Sequence, residues 1–320
     1  MKKWENRDLA QRFVSDYNLP IPIINEDLFN YHLCLYNKVY GSLDKWKLLL
    51  NLINNKFKGD KNLFLDEYYQ IRDKIINSVK KTDAFLKFDN STYASYTIPE
   101  DITSKNVYAQ DNIGKIFISI DITKANFQIL RETDKDIVFG ADTYEDFVGK
   151  FTDLDYFKES KYTRQVIFGN LNPKKQIARE KSFTLRMYEM LKSYAISHEW
   201  KQVSVSNDEI VYAVTKASCN KNEIIKLIKE KLGIEVKVNM YRLDGYKLNF
   251  RDSGHEKLTF YTKTDMFNGK VKFVSVPLQY HSIIFKHYYG LPTCNEDYHF
   301  NYEGVDCIFN EEFVIKKIEP

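Results

Sequence analysis

The chain has 320 residues, of which 43% are hydrophobic and 15% aromatic, and its 47 basic and 44 acidic residues give a net charge of +3. This composition excludes a disordered chain, and the near balance of charge excludes a polycation that binds nucleic acid by bulk charge alone. The longest apolar stretch, around Leu48 to Ile53, is too short to span a membrane, and the start MKKWENRDLA lacks the apolar core of a signal peptide. We therefore expect a soluble, cytoplasmic protein that does not bind membranes.

The cysteines and histidines do not have the spacing of a metal site. No CxxC pair occurs among Cys34, Cys219, Cys294 and Cys307, so we expect reduced, buried thiols. Three histidines lie in the C-terminal region, at positions 281, 287 and 299, and their spacing favours structural roles over zinc ligation. Lys, Asn, Ile and Tyr are abundant whereas Gly and Pro are scarce, a bias that we associate with an AT-rich phage or viral genome.

The first ninety residues have the apolar periodicity of helices. Ser42 is positioned to cap a helix in which Trp46, Leu49, Leu50 and Ile53 recur at helical spacing. After the break at Lys58-Gly59-Asp60, a second apolar stripe comprises Phe64, Tyr68, Ile71, Ile75 and Val79. The polar, turn-rich segment from Phe88 to Asn112 then predicts a boundary.

The pattern changes after Lys115. KIFISIDI is typical of a central strand buried on both faces, and Asp121 stands near its carboxyl end. Residues 174–195 predict a long helix, and VSVSNDEIVYAV predicts a β-hairpin with Asn207-Asp208 at its turn. NEIIKLIKEKL predicts a helix that ends at Gly233. The strand IEVKVNMYRL follows, and then come the alternating runs LTFYTKT and VKFVSVPLQY.

This order of elements predicts an α+β fold in which helices cover an antiparallel sheet. We expect three parts in the chain: a helical region at 1–90, an α+β domain at 111–248 and a β-rich C-terminal extension at 249–320.

Two acids of the α+β domain are candidate metal ligands. Asp121 ends the buried strand, and Asp208 lies at the tip of the hairpin that we expect beside it. Carboxylates at such positions suit a pair of Mg²⁺ ions, which activate a 3′-hydroxyl and stabilise a leaving pyrophosphate. The alternative interpretations are that Asp208 is a solvated turn residue and that Asp121 caps a helix in ITKANFQIL.

A basic segment, YTRQVIFGNLNPKKQIARE, lies between these two acids. Arg164, Lys174 and Arg179 are cations that suit the oxygens of a triphosphate, and Lys175 adds to the cluster. Phe168 offers an apolar face to a base. The alternative is an ordinary solvated helix face.

Three segments in this order resemble motifs of the family A DNA polymerases. ISIDITKANFQILR is similar to their first motif, in which a metal-binding Asp ends a strand. KESKYTRQVIFGNLNP resembles the fingers helix, with Arg164 in place of the triphosphate-binding Lys and Phe168-Gly169 in place of a Phe-Gly pair. NDEIVYAVTKASCNKNEIIKLIKEKLGIEVKV resembles the third motif, which has Asp-Glu in a hairpin turn. The resemblance covers Gly114 to Leu243.

The resemblance implies a palm-like domain with reduced fingers at 111–248, and a thumb-like or accessory role for the N-terminal helices. It implies that Asp121 and Asp208 hold Mg²⁺ or Mn²⁺, that Glu209 helps to shape the site, and that the activity is template-directed nucleotidyl transfer. The implied partners are a primer–template or single strand and a nucleoside triphosphate. A partner protein that completes the polymerase is also implied, because the segment from Gly169 to Asp208 is shorter than a fingers subdomain.

Two other hypotheses stand beside the polymerase. Asn207 replaces the usual His, and Asn172-Pro173 replaces a Tyr-Gly pair. The changes at Asn172 and Pro173 favour a catalytically inactive palm that binds nucleic acid or a replication or transcription protein, whereas the intact acid pair favours the enzyme. The third hypothesis is an unrelated α+β protein. A separation of more than about 10 Å between Asp121 and Asp208 would exclude both palm hypotheses, since shared metal ions require neighbouring carboxylates.

Overall fold

A computed structural model of the chain describes residues 4–92, 102–215, 219–252 and 254–320. Residues 93–101, in the middle of the predicted boundary segment, lie outside this description. Within the described residues, no helix is both long and apolar enough to cross a lipid bilayer.

The helices are concentrated in the first part of the chain and the strands in the second half, as the sequence predicts. The α-helices are α1 (Arg7–Tyr17), α2 (Glu26–Tyr40), α3 (Ser42–Lys56), α4 (Lys61–Lys80), α5 (Asp83–Asn90), α6 (Ala125–Thr133), α7 (Tyr144–Gly149), α8 (Asp155–Glu159), α9 (Lys161–Gly169), α10 (Pro173–Ser197), α11 (Lys221–Leu232) and α12 (His281–Tyr288). The strands are β1 (Ile116–Ile122), β2 (Lys201–Val205), β3 (Glu209–Val214), β4 (Val236–Phe250), β5 (Glu256–Asp265), β6 (Val271–Val274), β7 (His299–Tyr302), β8 (Val305–Ile308) and β9 (Phe313–Ile318).

The N-terminal helices pack on a core of their own. The predicted stripes of α3 and α4 are buried in it, as are side chains of α6 to α9 such as Phe127 and Phe147. The helical region therefore continues past residue 90 and takes in the segment between β1 and α10. One prediction is wrong in detail: Gly41 is the N-cap of α3, and the buried Ser42 instead donates a hydrogen bond from Oγ to the carbonyl oxygen of Leu33 at 2.7 Å.

The second half of the chain forms an antiparallel sheet with the strand order β2-β3-β1-β4-β5-β6, and β9 pairs with the later half of β4. The predicted α+β fold is confirmed. Strands β1 to β4, with α10 and α11 packed on them, have the β-α-β-β-α-β order of a split βαβ unit. As the sequence predicts, β1 lies at the centre, between β3 and β4.

The two faces of this sheet differ in what covers them. Ile118, Ile120 and Ile122 of β1 point to one face and pack under α10 and α11. Because successive side chains of a strand point to opposite faces, Asp121 projects from the other face. Phe117, on that same face, packs with a smaller apolar cluster that includes Val107 and Ile113. The acid that ends β1 thus stands on the face away from the two helices.

Of the C-terminal strands, β5, β6 and β9 belong to the same sheet, whereas β7 and β8 form a separate two-stranded sheet. The predicted strand ends at Leu243 and the predicted extension begins at residue 249, whereas β4 continues unbroken through both positions to Phe250. Gly245 permits this continuation, because a Cβ there would lie 2.3 Å from Cδ1 of Ile113. Asp244 is 5% exposed beside it and forms ion pairs with Arg242 and Lys317. The contacts with Ile113 and Lys317 are long-range, so the sequence pattern near residue 244 does not reveal them.

Candidate metal and nucleotide site

Three acids meet at the end of β1. Asp121 and Glu209 are direct partners in the antiparallel register of β1 and β3, so their side chains lie side by side on one face. The backbone nitrogen of Ile122 donates to the carbonyl oxygen of Asp208 at 2.8 Å, which fixes Asp208 next to the same strand end. The hairpin therefore holds its turn acid beside Asp121, as both palm hypotheses require.

The turn that carries Asp208 is held on two sides. Inside the turn, Oγ of Ser206 accepts hydrogen bonds from the backbone nitrogens of Asp208 and Glu209, at 3.4 and 3.0 Å. From the covered face, Oγ1 of Thr184 on α10 donates to the carbonyl oxygen of Asn207 at 2.7 Å. A purely solvated turn has no need of an anchor to a packed helix, and this one has such an anchor.

Asp121 does not cap the helix that follows it. The N-cap of α6 is Lys124, with φ of 49° and no side-chain capping bond. The capping alternative therefore gives no account of a half-buried acid at this position.

The surroundings of Asp121 shift its pKa. Burial, followed by the charges of Asp208 and Glu209, raises the pKa of Asp121 to about 6, against the opposing charges of Lys237 and Lys272. Carboxylates held together out of water at a cost in charge repulsion are more typical of functional sites than of structural ones.

A fourth acid at this place, Glu180, is not among the predicted residues. It lies on α10, and burial together with the charge of Asp208 raises its pKa to about 7. Glu180 precedes Thr184 by four residues, so it extends the buried stripe of α10, and an acid on such a stripe is the feature that identifies it in the sequence. We call Asp121, Glu180, Asp208 and Glu209 the acidic edge.

The acidic edge has the hard oxygen donors that Mg²⁺ and Mn²⁺ prefer. Among the residues described, however, no three or more His, Cys, Asp or Glu side chains are arranged to enclose a metal ion. This arrangement fits Mg²⁺ bound through one or two carboxylates, with the remaining positions left to water and substrate phosphates, and it does not fit a closed structural site.

Arg164, a predicted phosphate ligand, has a buried N–H group that forms no hydrogen bond to the described residues. Its Nε is buried and has no hydrogen-bond partner among the described residues, and its guanidinium carbon lies 5.7 Å from the ring centroid of Tyr144. Burial lowers the pKa of Arg164, opposed by the charges of Tyr144 and Glu145. Glu145 is itself paired with Lys124, which follows Asp121 by three residues in the chain.

Phe168 does not have the predicted position. Its side chain is 1% exposed and packs in the helical core, with ring centroids 6.0 Å from Phe147 and 6.3 Å from Phe127. A base can stack on this ring only if the core opens. The aromatic residue of the resembled motif therefore has a packing role here.

The two adjacent lysines at the start of α10 have different environments. Lys174 is exposed, six residues or about 9 Å along the helix from Glu180. Lys175 is 8% exposed, and its Nζ donates to the last carbonyl oxygens of α5 and just beyond, including those of Phe88 at 3.2 Å and Ser91 at 2.6 Å. Lys175 therefore joins α10 to the end of α5. Arg179 is half-exposed and directly precedes Glu180.

Replacing Lys175 with methionine is expected to lower the free energy of unfolding by about 2 kcal/mol, because buried carbonyl groups lose a charged donor. Lys174→Met is the matched control, and its effect is expected to stay within about 0.5 kcal/mol, since the side chain is exposed. Urea denaturation of the two variants measures the difference. Equal losses of stability in both variants would contradict the role of Lys175 in joining α10 to the end of α5.

The C-terminal histidines do not form a metal site in the described residues. His281 is buried, its Nδ1 lies 3.1 Å from the hydroxyl of Tyr36, and burial lowers its pKa to about 4. His299 pairs with Asp306 at 2.8 Å. All four cysteines are free, but the expectation of buried thiols is wrong, because Cys34 is exposed and the other three are half-exposed.

No protein-family model matches the chain, and no curated protein is significantly similar to it in sequence.

Proposed function

We propose that this chain is a metal-dependent nucleotidyl transferase with a palm-like sheet, which extends a nucleic-acid primer from nucleoside triphosphates. The observation that carries the proposal is the meeting of Asp121, Asp208 and Glu209 at one strand end, where Asp121 and Glu209 lie on the sheet face opposite α10 and α11. A palm needs this combination, since helices support the sheet from behind while the acids face the substrate.

In this proposal Asp121 and Asp208 hold Mg²⁺ or Mn²⁺. When bound, the metal activates the attacking hydroxyl and stabilises the leaving pyrophosphate. Glu209 orients the neighbouring acid across the strand pair. Glu180, with a pKa near 7, is suited to exchange a proton near neutral pH.

The nucleotide's phosphates would be held in part by Arg164, whose buried Nε lacks a partner in the described residues. Lys174 and Arg179 stay as proposed outer contacts, because both are accessible on α10. α10 begins only a few residues after α9 ends, which supports the proposal that a partner protein supplies the surface of a fingers subdomain.

The second candidate is a palm that binds nucleic acid or a replication or transcription protein without catalysis. The core position of Phe168 and the structural use of Lys175 favour it, since two of the residues expected around a nucleotide serve the fold instead.

Primer extension tests the proposal. Native protein and Asp208→Asn are compared on a labelled primer–template with all nucleotides, first in Mg²⁺ and then in Mn²⁺. We expect extension by the native protein and at least about a 100-fold loss in the variant, because a proposed metal ligand is removed.

Asp252→Asn is the matched control, since Asp252 is an exposed acid in another hairpin turn, between β4 and β5. It is expected to extend primers at the native rate. The absence of extension by native protein, together with nucleic-acid binding that is the same in all variants, would favour the second candidate.

A further inference from the structure

Three lysines lie beside the acidic edge on the uncovered face of the sheet. Lys237 is the partner of Asp121 across β1 and β4, and Lys263 is the partner of Lys272 across β5 and β6. The charges of Lys237 and Lys272 act on Asp121, and those of Glu209 and Asp121 act on Lys263, so the lysines and the acids are neighbours. We call Lys237, Lys263 and Lys272 the lysine patch.

The lysine patch is not explained by pairing within the protein. Among the described residues, none of its three ammonium groups forms an ion pair or a hydrogen bond to a protein atom. Lys263 and Lys272 are directly opposite each other, and like charges in this position destabilise a sheet. An anionic ligand would remove that repulsion.

Lys263 is the central member. It is half-buried, and its Nζ lies 4.4 Å from the ring centroid of Tyr241 and 5.1 Å from that of Tyr108. Two aromatic rings hold the ammonium by cation–π contacts in a place where burial lowers its pKa. Its ammonium group is therefore held in place, while its three N–H donors form no hydrogen bond to the described residues.

Tyr241 supplies a second, independent feature. Its side chain is 2% exposed, and its hydroxyl has no hydrogen-bond partner among the described residues. Burial, followed by the charges of Tyr108 and Glu209, raises the pKa of Tyr241. Tyr241 also follows Lys237 by four residues in β4, so the two side chains lie on the same face of the sheet. A buried hydroxyl without a partner is costly, and a ligand oxygen at this point would accept a hydrogen bond from it.

We propose that the lysine patch and the Tyr241 hydroxyl bind the phosphate groups of a polyanion that carries a divalent cation, beside the carboxylates of the acidic edge. This inference rests on the proposed function and names a phosphate site for it outside the basic segment of α9 and α10. A free polyanion is repelled by the adjacent carboxylates, whereas one that brings a divalent cation satisfies both signs of charge. Phosphate affinity is therefore expected to rise with Mg²⁺.

Two phosphate sources share this chemistry, the tail of a nucleoside triphosphate and the backbone of a polynucleotide. Inorganic tripolyphosphate is the probe for the first, followed by calorimetry with and without Mg²⁺. A short fluorescein-labelled single strand is the probe for the second, followed by anisotropy over a range of salt concentrations.

The variants are Lys263→Met and Lys272→Gln, with Lys263→Arg as the charge-conserving form. Lys226→Gln is the matched control, because Lys226 is 76% exposed in its side chain on α11, behind the sheet. We expect each of the first two variants to weaken binding of one probe roughly tenfold in Mg²⁺, and Lys263→Arg to restore most of it. Thermal melts of all variants show that each is folded.

The probe that responds identifies the source. If the site holds a triphosphate, the lysine substitutions weaken the binding of tripolyphosphate selectively. If it holds a nucleic-acid backbone, they lower the salt slope of strand binding by about 0.7 per lysine removed. Unchanged binding of both probes in Lys263→Met and Lys272→Gln overturns the inference, as does an equal loss in Lys226→Gln.

Failure of this inference is distinguishable from failure of the proposed function, because these assays measure binding without chemistry. If lysine variants lose binding while native protein extends no primer, the phosphate site stands without catalysis. If Asp208→Asn loses extension while the lysine variants keep both binding and extension, the transferase stands and the phosphate site is wrong.

Discussion

Replacing Asp121 with asparagine is expected to abolish primer extension while making the protein more stable. Extension should fall by at least about 100-fold, since the variant lacks one of the two proposed metal ligands. Stability should rise because the charged form of Asp121 is disfavoured by burial and by Asp208 and Glu209. A purely structural acid would show the opposite change in stability.

The expected gain in the stability of Asp121→Asn follows from the raised pKa of Asp121. Raising the pKa from 3.8 to about 6 corresponds to as much as about 3 kcal/mol, and partial exposure of the carboxylate reduces this to about 1 kcal/mol. The folded state binds the proton more tightly than the unfolded state, so stability falls as pH rises from about 4 to about 6 and is then level. The advantage of Asp121→Asn should therefore be absent near pH 4 and complete by pH 7.

Urea denaturation at several pH values measures this difference, with Asp252→Asn as the exposed control. A loss of stability in Asp121→Asn at pH 7, or a gain of the same size at pH 4, would contradict the electrostatic account of the acidic edge. Such a result would also remove the argument that the acids are kept together for chemistry rather than for folding.

Replacing Lys286 with methionine is expected to give the largest loss of stability, about 3–5 kcal/mol. Lys286 pairs with Asp297 at 2.7 Å between α12 and the segment before β7, and their side chains are 9% and 0% exposed. Asp297 also accepts hydrogen bonds from the hydroxyl of Tyr31 at 2.7 Å and from the backbone nitrogen of Cys294 at 2.8 Å. The variant would leave a carboxylate buried without its cation.

A double-variant cycle tests this account. Adding Asp297→Asn to Lys286→Met should recover part of the loss, because the double variant buries no unpaired charge. Lys229→Met is the control, since Lys229 pairs with Glu235 in the open, with side chains 62% and 55% exposed, and is expected to change stability by less than about 1 kcal/mol. If Lys286→Met costs no more than Lys229→Met, the buried pair does not stabilise the fold.

Much of the fold is predictable because its elements are locally periodic. The stripes of α3, α4 and α10, the β-branched run of β1 and the Asn-Asp turn each carry their structure within a short window. The continuation of β4 through Gly245 is not predictable in this way, since it depends on Ile113, more than 100 residues away in the chain. Likewise, the helical core recruits α6 to α9 through contacts that no local pattern encodes.

The residues of the candidate site differ in the same way: local sequence features mark some of them, and only long-range contacts reveal the others. Asp121 and Asp208 are found from a strand end and a turn, which are local features. The lysine patch requires the register of β4, β5 and β6, and Lys263 alone is an ordinary charged residue in an alternating strand. The prediction for Phe168 is wrong because its place in the resembled motif suggests an exposed ring, whereas long-range packing buries the side chain.

The central place of β1 has a consequence for synthesis. Its partners in β3 follow it by roughly 90 residues and those in β4 by more than 100, so at roughly 5–20 residues per second the ribosome completes β3 about 5–20 s after β1. During that interval both edges of IFISIDI are without neighbours, and a β-branched segment with one charge pairs readily with other chains. Slower translation lengthens this exposure, so the yield of folded protein should depend on chaperones that shield nascent strands.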